Sequence, residues 1–148
     1  MFVRTASERD LAAVRELLAE TWHATYDDIY GREKVAEITG AWHSIASLKA
    51  RMDQPDGEFL VADDGHAIAG MAFATGGDGQ VALHQLYVRP GMQGRGIGSL
   101  LLDEVVDCYP DARSVRVEVA EENIRAIAFY RSQGFVETGR VEHCGGRP

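Results

Sequence analysis

Leu11, Val14, Leu17 and Leu18 fall three and four residues apart, the spacing that lines up one face of a helix. Ser7 precedes them as an N-cap, with Asp10 in the first turn where a carboxylate suits the helix dipole. The pattern predicts a short strand over Phe2 to Ala6 and then a helix to about Glu20. Between Thr21 and Gly40 the rings of Trp22, Tyr26 and Tyr30 mix with charges around Gly31, which predicts two short helices. Ser44 to Asp53 predicts one more, closed by Pro55-Asp56-Gly57.

The period then changes from helical to alternating. Phe59 to Ala62 and Ala67 to Ala74 read as strands around the hairpin signal Asp63-Asp64-Gly65. After Gly76-Gly77-Asp78-Gly79 comes a third strand through Val81, Leu83, Leu86 and Val88. Its alternation slips between Leu83 and Leu86, as one inserted residue would make it do, and so predicts a β-bulge. Beyond Pro90 a glycine-rich segment leads into a helix carrying Ile97, Leu100, Leu101 and Val105, stopped by Pro110. Val115, Val117 and Val119 predict a strand, Asn123 to Gln133 a helix, and Phe135 to Glu142 a last strand. With no repeat and no linker, residues 1–148 read as a single α/β (α+β) domain.

Charge narrows the partners. Fifteen Lys and Arg against 23 Asp and Glu leave a net charge of −8, which gives no overall field for a nucleic-acid backbone. The two thiols, Cys108 and Cys144, lack metal-ligand spacing, so no metal site is expected. The amino terminus has no apolar signal core and no run approaches a membrane span, so a cytoplasmic protein is expected.

The segment richest in chemistry is Gln93-Gly94-Arg95-Gly96-Ile97-Gly98. Alternate glycines let a backbone approach a ligand closely, and the helix that follows adds about half a positive charge at its amino terminus. The expected ligand is a phosphate or pyrophosphate. A P-loop would need Gly-Lys-Ser/Thr, and a dinucleotide fingerprint would need glycine in place of Ser99.

These residues resemble a known family, the GNAT superfamily of acyl-CoA-dependent N-acetyltransferases. Gln93, Gly96 and Gly98 match its motif Gln/Arg-x-x-Gly-x-Gly/Ala, after the typical Leu86-Tyr87-Val88-Arg89-Pro90. Asn123, Ala126, Phe129, Tyr130, Gly134 and Phe135 match its second motif, and the match is weakest from Thr21 to Gly57. The resemblance implies a mixed, mostly antiparallel central sheet flanked by helices, with the bulged strand at the CoA site. It implies acetyl-CoA as cosubstrate, with the pyrophosphate on the amides of Gln93, Gly94, Arg95, Gly96, Ile97 and Gly98 and a hydroxyl donor in Ser99. The pantetheine arm would pair with Leu86 and Val88 like an added strand, with Asn123 and Phe129 also at the CoA site. Arg95 is the first candidate for a salt partner of the CoA phosphates, ahead of Arg89, Arg125 and Arg131.

By the same resemblance Tyr130 is the acid that protonates the departing thiolate. The base is open. Relatives often carry a glutamate just before the Leu-Tyr-Val segment, where this chain has His84 and Gln85. His84 is the first candidate, since a free imidazole titrates near ~6.5, and Glu118 on the neighbouring strand is the second. The acceptor would be met by the variable segment, where Trp22, Tyr26 and Tyr30 offer faces for a cation and His23, Trp42 and His43 add further rings. The expected acceptor is a primary amine, preferably cationic given the surplus of carboxylates. Two other readings stand beside this one, a non-catalytic acyl-CoA-binding module and a nucleotide-dependent oxidoreductase with a degenerate loop. A homodimer joined along the last strand, around Val136 to Val141, is a further expectation.

Overall fold

Five strands lie side by side in chain order: β1 (Phe2–Thr5), β2 (Gly57–Asp63), β3 (Ile68–Gly77), β4 (Gln80–Val88) and β5 (Ser114–Val117). The first three pairings are antiparallel and β4 runs parallel to β5. A parallel neighbour requires a crossover, here the helix α4 (Ile97–Cys108). The structure is a computed structural model and describes residues 1–139. Among these, α1 (Leu11–Tyr30), α2 (Arg32–Trp42) and α3 (Ile45–Met52) precede β2, and α5 (Ile124–Ser132) follows β5. No helix of the described residues is long and apolar enough to cross a membrane.

Helix α1 does not stop near Glu20 as its first apolar stripe suggested. Leu18, Trp22 and Tyr26 continue that stripe at four-residue intervals and are all buried, so packing carries the helix on to Tyr30. Gly31 ends it at φ +88°, a conformation costly for other residues, and donates its N–H to the Asp27 carbonyl at 2.9 Å. The expected pair of short helices is therefore the end of a long one followed by α2.

The sheet has a core on each face. Leu60, Ala72, Val81 and Leu83 pack against Ile97, Leu101 and Val105 of α4, with Tyr130 of α5. On the opposite face Phe59, Val61, Met71 and Phe73 meet Val14, Leu17 and Leu18 of α1 and Leu48 of α3. A smaller cluster joins Trp22, Tyr26 and Val35, with Tyr87 packed against it.

The bulge lies where the slipped alternation placed it. Phe73 pairs with Gln85 and Ala74 with Leu83, so His84 is the extra residue. Val81 and Leu83 face α4 before it, and Leu86 and Val88 pack on that same face after it. One additional residue thus turns Tyr87 toward α1 and α3 instead.

The predicted last strand is not formed over its described part. Gly134 adopts φ +93° and the Phe135 N–H donates back to the Tyr130 carbonyl at 3.0 Å, so this backbone is used in terminating α5. Val136 is 81% exposed in irregular chain, so the described part offers no strand edge to a second copy. The rest of that expectation, with Val141 and Cys144, lies outside the described residues.

An ion cluster ties β1 to the start of α1. Arg4 donates to both Asp10 carboxylate oxygens at 2.8 and 3.0 Å and to Asp63 at 3.1 and 3.2 Å. Asp10 also accepts from the Ser7 N–H at 2.7 Å and the Ser7 hydroxyl at 3.0 Å. Arg4 foremost, and then the Ser7 donors, hold the Asp10 carboxyl well below the usual carboxylate range, although burial opposes them. A carboxyl whose pKa is lowered by folding stabilises above its unfolded value, near ~3.9, and loses that contribution as pH falls. Asp10→Ala should therefore cost about 2 kcal/mol at neutral pH, from charged hydrogen bonds and a lost cap. The deficit should shrink in urea melts below pH ~4, where the wild-type carboxylate begins to lose its advantage. An equal deficit at pH ~7 and pH ~3 would contradict this account.

Candidate functional site

β4 and β5 pair only from Gln80↔Ser114 to Leu83↔Val117. β5 ends there while β4, still paired with β3 on its other side, runs on to Val88. From the bulge onward one edge of β4 has no strand beside it among the described residues, and Leu86 and Val88 lie on that stretch of β4. A notch opens in the sheet where an extended chain could add itself as a strand.

The glycine-rich turn closes one end of the notch. Gly91, Gly94 and Gly96 adopt φ values of +88°, +81° and +81°, and Gly96 is the left-handed residue that caps α4. The first-turn amides of α4, from Ile97, Gly98 and Ser99, have no acceptor within the helix and concentrate its positive end here. Gln93 ties the turn to its surroundings, donating to the Val88 carbonyl at 3.2 Å and accepting from Arg125 at 2.6 Å. The Ser99 hydroxyl accepts from Gln133 at 2.9 Å and keeps its own proton to donate. Arg95 is exposed on the turn and Arg125 reaches it through Gln93. Arg89 does not serve the turn, because its guanidinium holds Glu20 at 2.8 Å and the Ile68 carbonyl at 3.0 Å.

Helix α5 forms the opposite wall. Asn123 caps it through the Ala126 N–H at 3.1 Å and donates to the Tyr26 hydroxyl at 3.3 Å. The helix cap and the link to α1 are one side chain. Gly98 lets α4 and α5 approach closely, since a Cβ there would meet the Phe129 ring at 3.1 Å. Tyr130 is 8% exposed between Phe129 and Phe135, both edge-on at 5.1 and 5.2 Å. Burial pushes its phenol well above the usual tyrosine range.

The aromatic side chains of α1 cover the other side. Trp22 donates to the Tyr87 hydroxyl at 3.2 Å, Tyr26 stands 4.6 Å from Trp22, and Tyr30 stacks on Tyr26 at 5.4 Å. Burial raises the Tyr87 phenol, and the neighbouring phenols of Tyr26 and Tyr130 raise it further. Three tyrosines, from α1, β4 and α5, thus gather at the notch. Tyr30 also donates to Glu122 at 3.2 Å, a second bond between α1 and the loop before α5.

The two candidate bases are placed differently. His84 is the bulged residue, its ring stacked on Phe73 at 5.4 Å and its Nε2 2.8 Å from the Thr75 hydroxyl. Glu118 lies just past β5, 3.8 Å from Arg116. Tyr87 is not among the site residues expected from the sequence. A separate cleft of ≈ 400 Å³ beside Asp56, Glu58, Cys108 and Tyr109 opens at the start of β4, away from the notch.

The sequence profile of the acetyltransferase (GNAT) family matches residues 11–135. The chain belongs to this family. It is 25% identical to a thialysine N-epsilon-acetyltransferase of Bos taurus, over 97% of this chain and 90% of the relative. Identity to the N-alpha-acetyltransferase RimI of Mycobacterium tuberculosis is 32%, over 64% of this chain and 61% of that protein. A PaiA N-acetyltransferase of Thermoplasma acidophilum, solved in complex with coenzyme A, superposes with a TM-score of 0.84 at 24% identity. That superposition covers 89% of this chain and 87% of the other. The protein is an acetyl-CoA-dependent N-acetyltransferase, and the family fold expected from its motifs is the one observed.

In this acetyltransferase the contact between Gly98 and Phe129 sets the spacing of the two helices at the notch. Gly98→Val should force Phe129 outward, lowering stability by about 1–3 kcal/mol as overpacking does. It should also weaken acetyl-CoA binding in calorimetry. Unchanged melting temperature and affinity together would show that the helices need not be so close.

Proposed function

We propose that this enzyme, with residues 1–148 as one catalytic domain, acetylates a primary amine of a cationic acceptor in the cytoplasm. The reading is supported above all by the open edge of β4 running into the capped amino terminus of α4, with Tyr130 beside it. Acetyl-CoA would lie with its pyrophosphate on the amides of Gln93 to Gly98 and the Ser99 hydroxyl, and its pantetheine along Leu86 and Val88. Asn123 and Phe129 would flank it, with Arg95 at its phosphates. The anionic cosubstrate gains nothing from a net charge of −8, so these local donors must hold it. The same surplus favours approach of a protonated amine, and Trp22, Tyr26 and Tyr30 supply faces for it.

The reaction is a direct attack in a ternary complex. The neutral amine adds to the thioester carbonyl carbon, the C–S bond then breaks, and the thiolate leaves. Tyr130 gives the thiolate its proton. Its raised pKa keeps the phenol protonated at working pH, and the burial that raises it makes the thiolate more basic too. The amine's proton passes to His84, with Glu118 as the second candidate. Retention of an open notch and a buried acid favours catalysis over a module that only binds acyl-CoA.

Tyr130→Phe should lower kcat by about 10²- to 10⁴-fold, the usual worth of a general acid, with little change in KM for acetyl-CoA. Full turnover in that variant would remove the assignment. For His84→Ala, the acidic limb of the kcat/KM profile should disappear if the imidazole takes the proton. A limb that survives unchanged transfers the role to Glu118, which Glu118→Gln then tests in the same way.

A further inference from the structure

Val88 ends β4, and its backbone groups face the open edge. The next residue, Arg89, donates its N–H to the Ala69 carbonyl of β3 at 2.8 Å. Backbone groups of successive strand residues point to opposite sides, so the N–H and carbonyl of Val88 point away from β3. Leu86, two residues earlier, shares that direction. The Val88 carbonyl nevertheless has a partner. The Gln93 side chain folds back from the glycine-rich turn and donates its Nε2 to it at 3.2 Å. The same carboxamide accepts from Arg125 Nη1 at 2.6 Å, so one side chain reaches from the β4 edge to α5. It lies across the notch at the end that the turn closes.

An amide that gives its N–H to an edge carbonyl does what an added strand would do. It also covers a group that would otherwise invite other extended chains. The pantetheine arm carries amides of the same chemistry. Arg125, for its part, gains only a neutral oxygen. Gln93 is its one hydrogen-bond partner among the described residues, and no carboxylate among them lies within ion-pair distance. A guanidinium bonds an anion more strongly, and phosphate oxygens suit its fork. Gln93 and Arg125 are both exposed, so these bonds compete with water and exchange at small cost. We propose that the Gln93 side chain stands in for a pantetheine amide on the Val88 carbonyl, that acetyl-CoA displaces it, and that Arg125 so released takes a phosphate oxygen. Gln93 is then a positioning residue that links the two ends of the cosubstrate, because seating the arm frees a cation for the phosphates. This rests on the pantetheine placement proposed above and adds how the chain's own groups change partners.

The test compares CoA with pantetheine, which lacks the phosphates, on the full chain by calorimetry and NMR. Gln93→Met keeps the backbone and the length of the side chain but removes the competing amide. It should tighten pantetheine binding about 2- to 10-fold, the worth of a hydrogen bond no longer surrendered. A brace that only shaped the turn would give weaker binding instead. Arg125→Met should weaken CoA about 10-fold, the worth of a charge-assisted bond, and leave pantetheine no weaker. In the native chain the side-chain amide resonances of Gln93 should shift when pantetheine is added. The backbone amide resonances of Leu86 and Val88 report on the placement itself. If these move while Gln93 does not, or if Gln93→Met binds pantetheine no more tightly, the exchange is overturned. If Leu86 and Val88 do not move, the placement fails and the exchange with it, so the two failures are distinguishable. An equal loss of both ligands in Arg125→Met overturns the transfer of Arg125 to phosphate.

Discussion

The extra residue at position 84 breaks the two-residue period of β4, and most of what distinguishes this sheet follows from that break. Before it, Val81 and Leu83 fill the α4 face. After it, Leu86 and Val88 keep that face apolar, and Gln85 and Tyr87 are free to serve the other. A regular strand could not do both, because its alternation would send position 85 and position 87 into the α4 core. The bulge also increases local twist, and β5 parts from β4 at the pair Leu83↔Val117, immediately before it. The facing of Gln85 and Tyr87, opposite to Leu86 and Val88, is the consequence of one inserted residue.

The walls of the notch are held by contacts that leave little freedom. α4 and α5 approach through Gly98 and Phe129, while α1 and α5 are joined through Tyr26 with Asn123 and Tyr30 with Glu122. Asn123 is the most economical of these, capping a helix with its carbonyl oxygen and reaching across with its amide nitrogen. Gln93 acts similarly on the other side, joining the end of β4 to Arg125 of α5. The first-turn backbone donors of α4 are thereby presented from a turn tied to both β4 and α5.

Much of the site was legible because its residues answer to local rules. Glycines at positive φ before a helix, an asparagine at a cap and a slipped alternation each leave a mark within a few residues of sequence. The aromatic positions of α1 were visible as well, but their length as a single helix was not, since charges around Gly31 mask a stripe that only packing against α2 and β4 sustains. The predicted last strand failed over 135–139 for a related reason. Phe135 looks like a strand residue, yet its N–H is claimed by the end of α5 and its ring by Tyr130.

The sequence by itself determined the order of elements as far as α5, the bulge, the glycine-rich turn and the family to which the chain belongs. Those depend on periodicity and on residues with special backbone or capping chemistry, which act over short range. Only the tertiary structure decided that Gln85 meets His43 from 42 residues away, and that Trp22 and Tyr26 reach Tyr87 and Asn123. Such pairings are set by how helices lie across a sheet, and the desolvation that raises the Tyr87 and Tyr130 phenols exists only once the chain has closed around them.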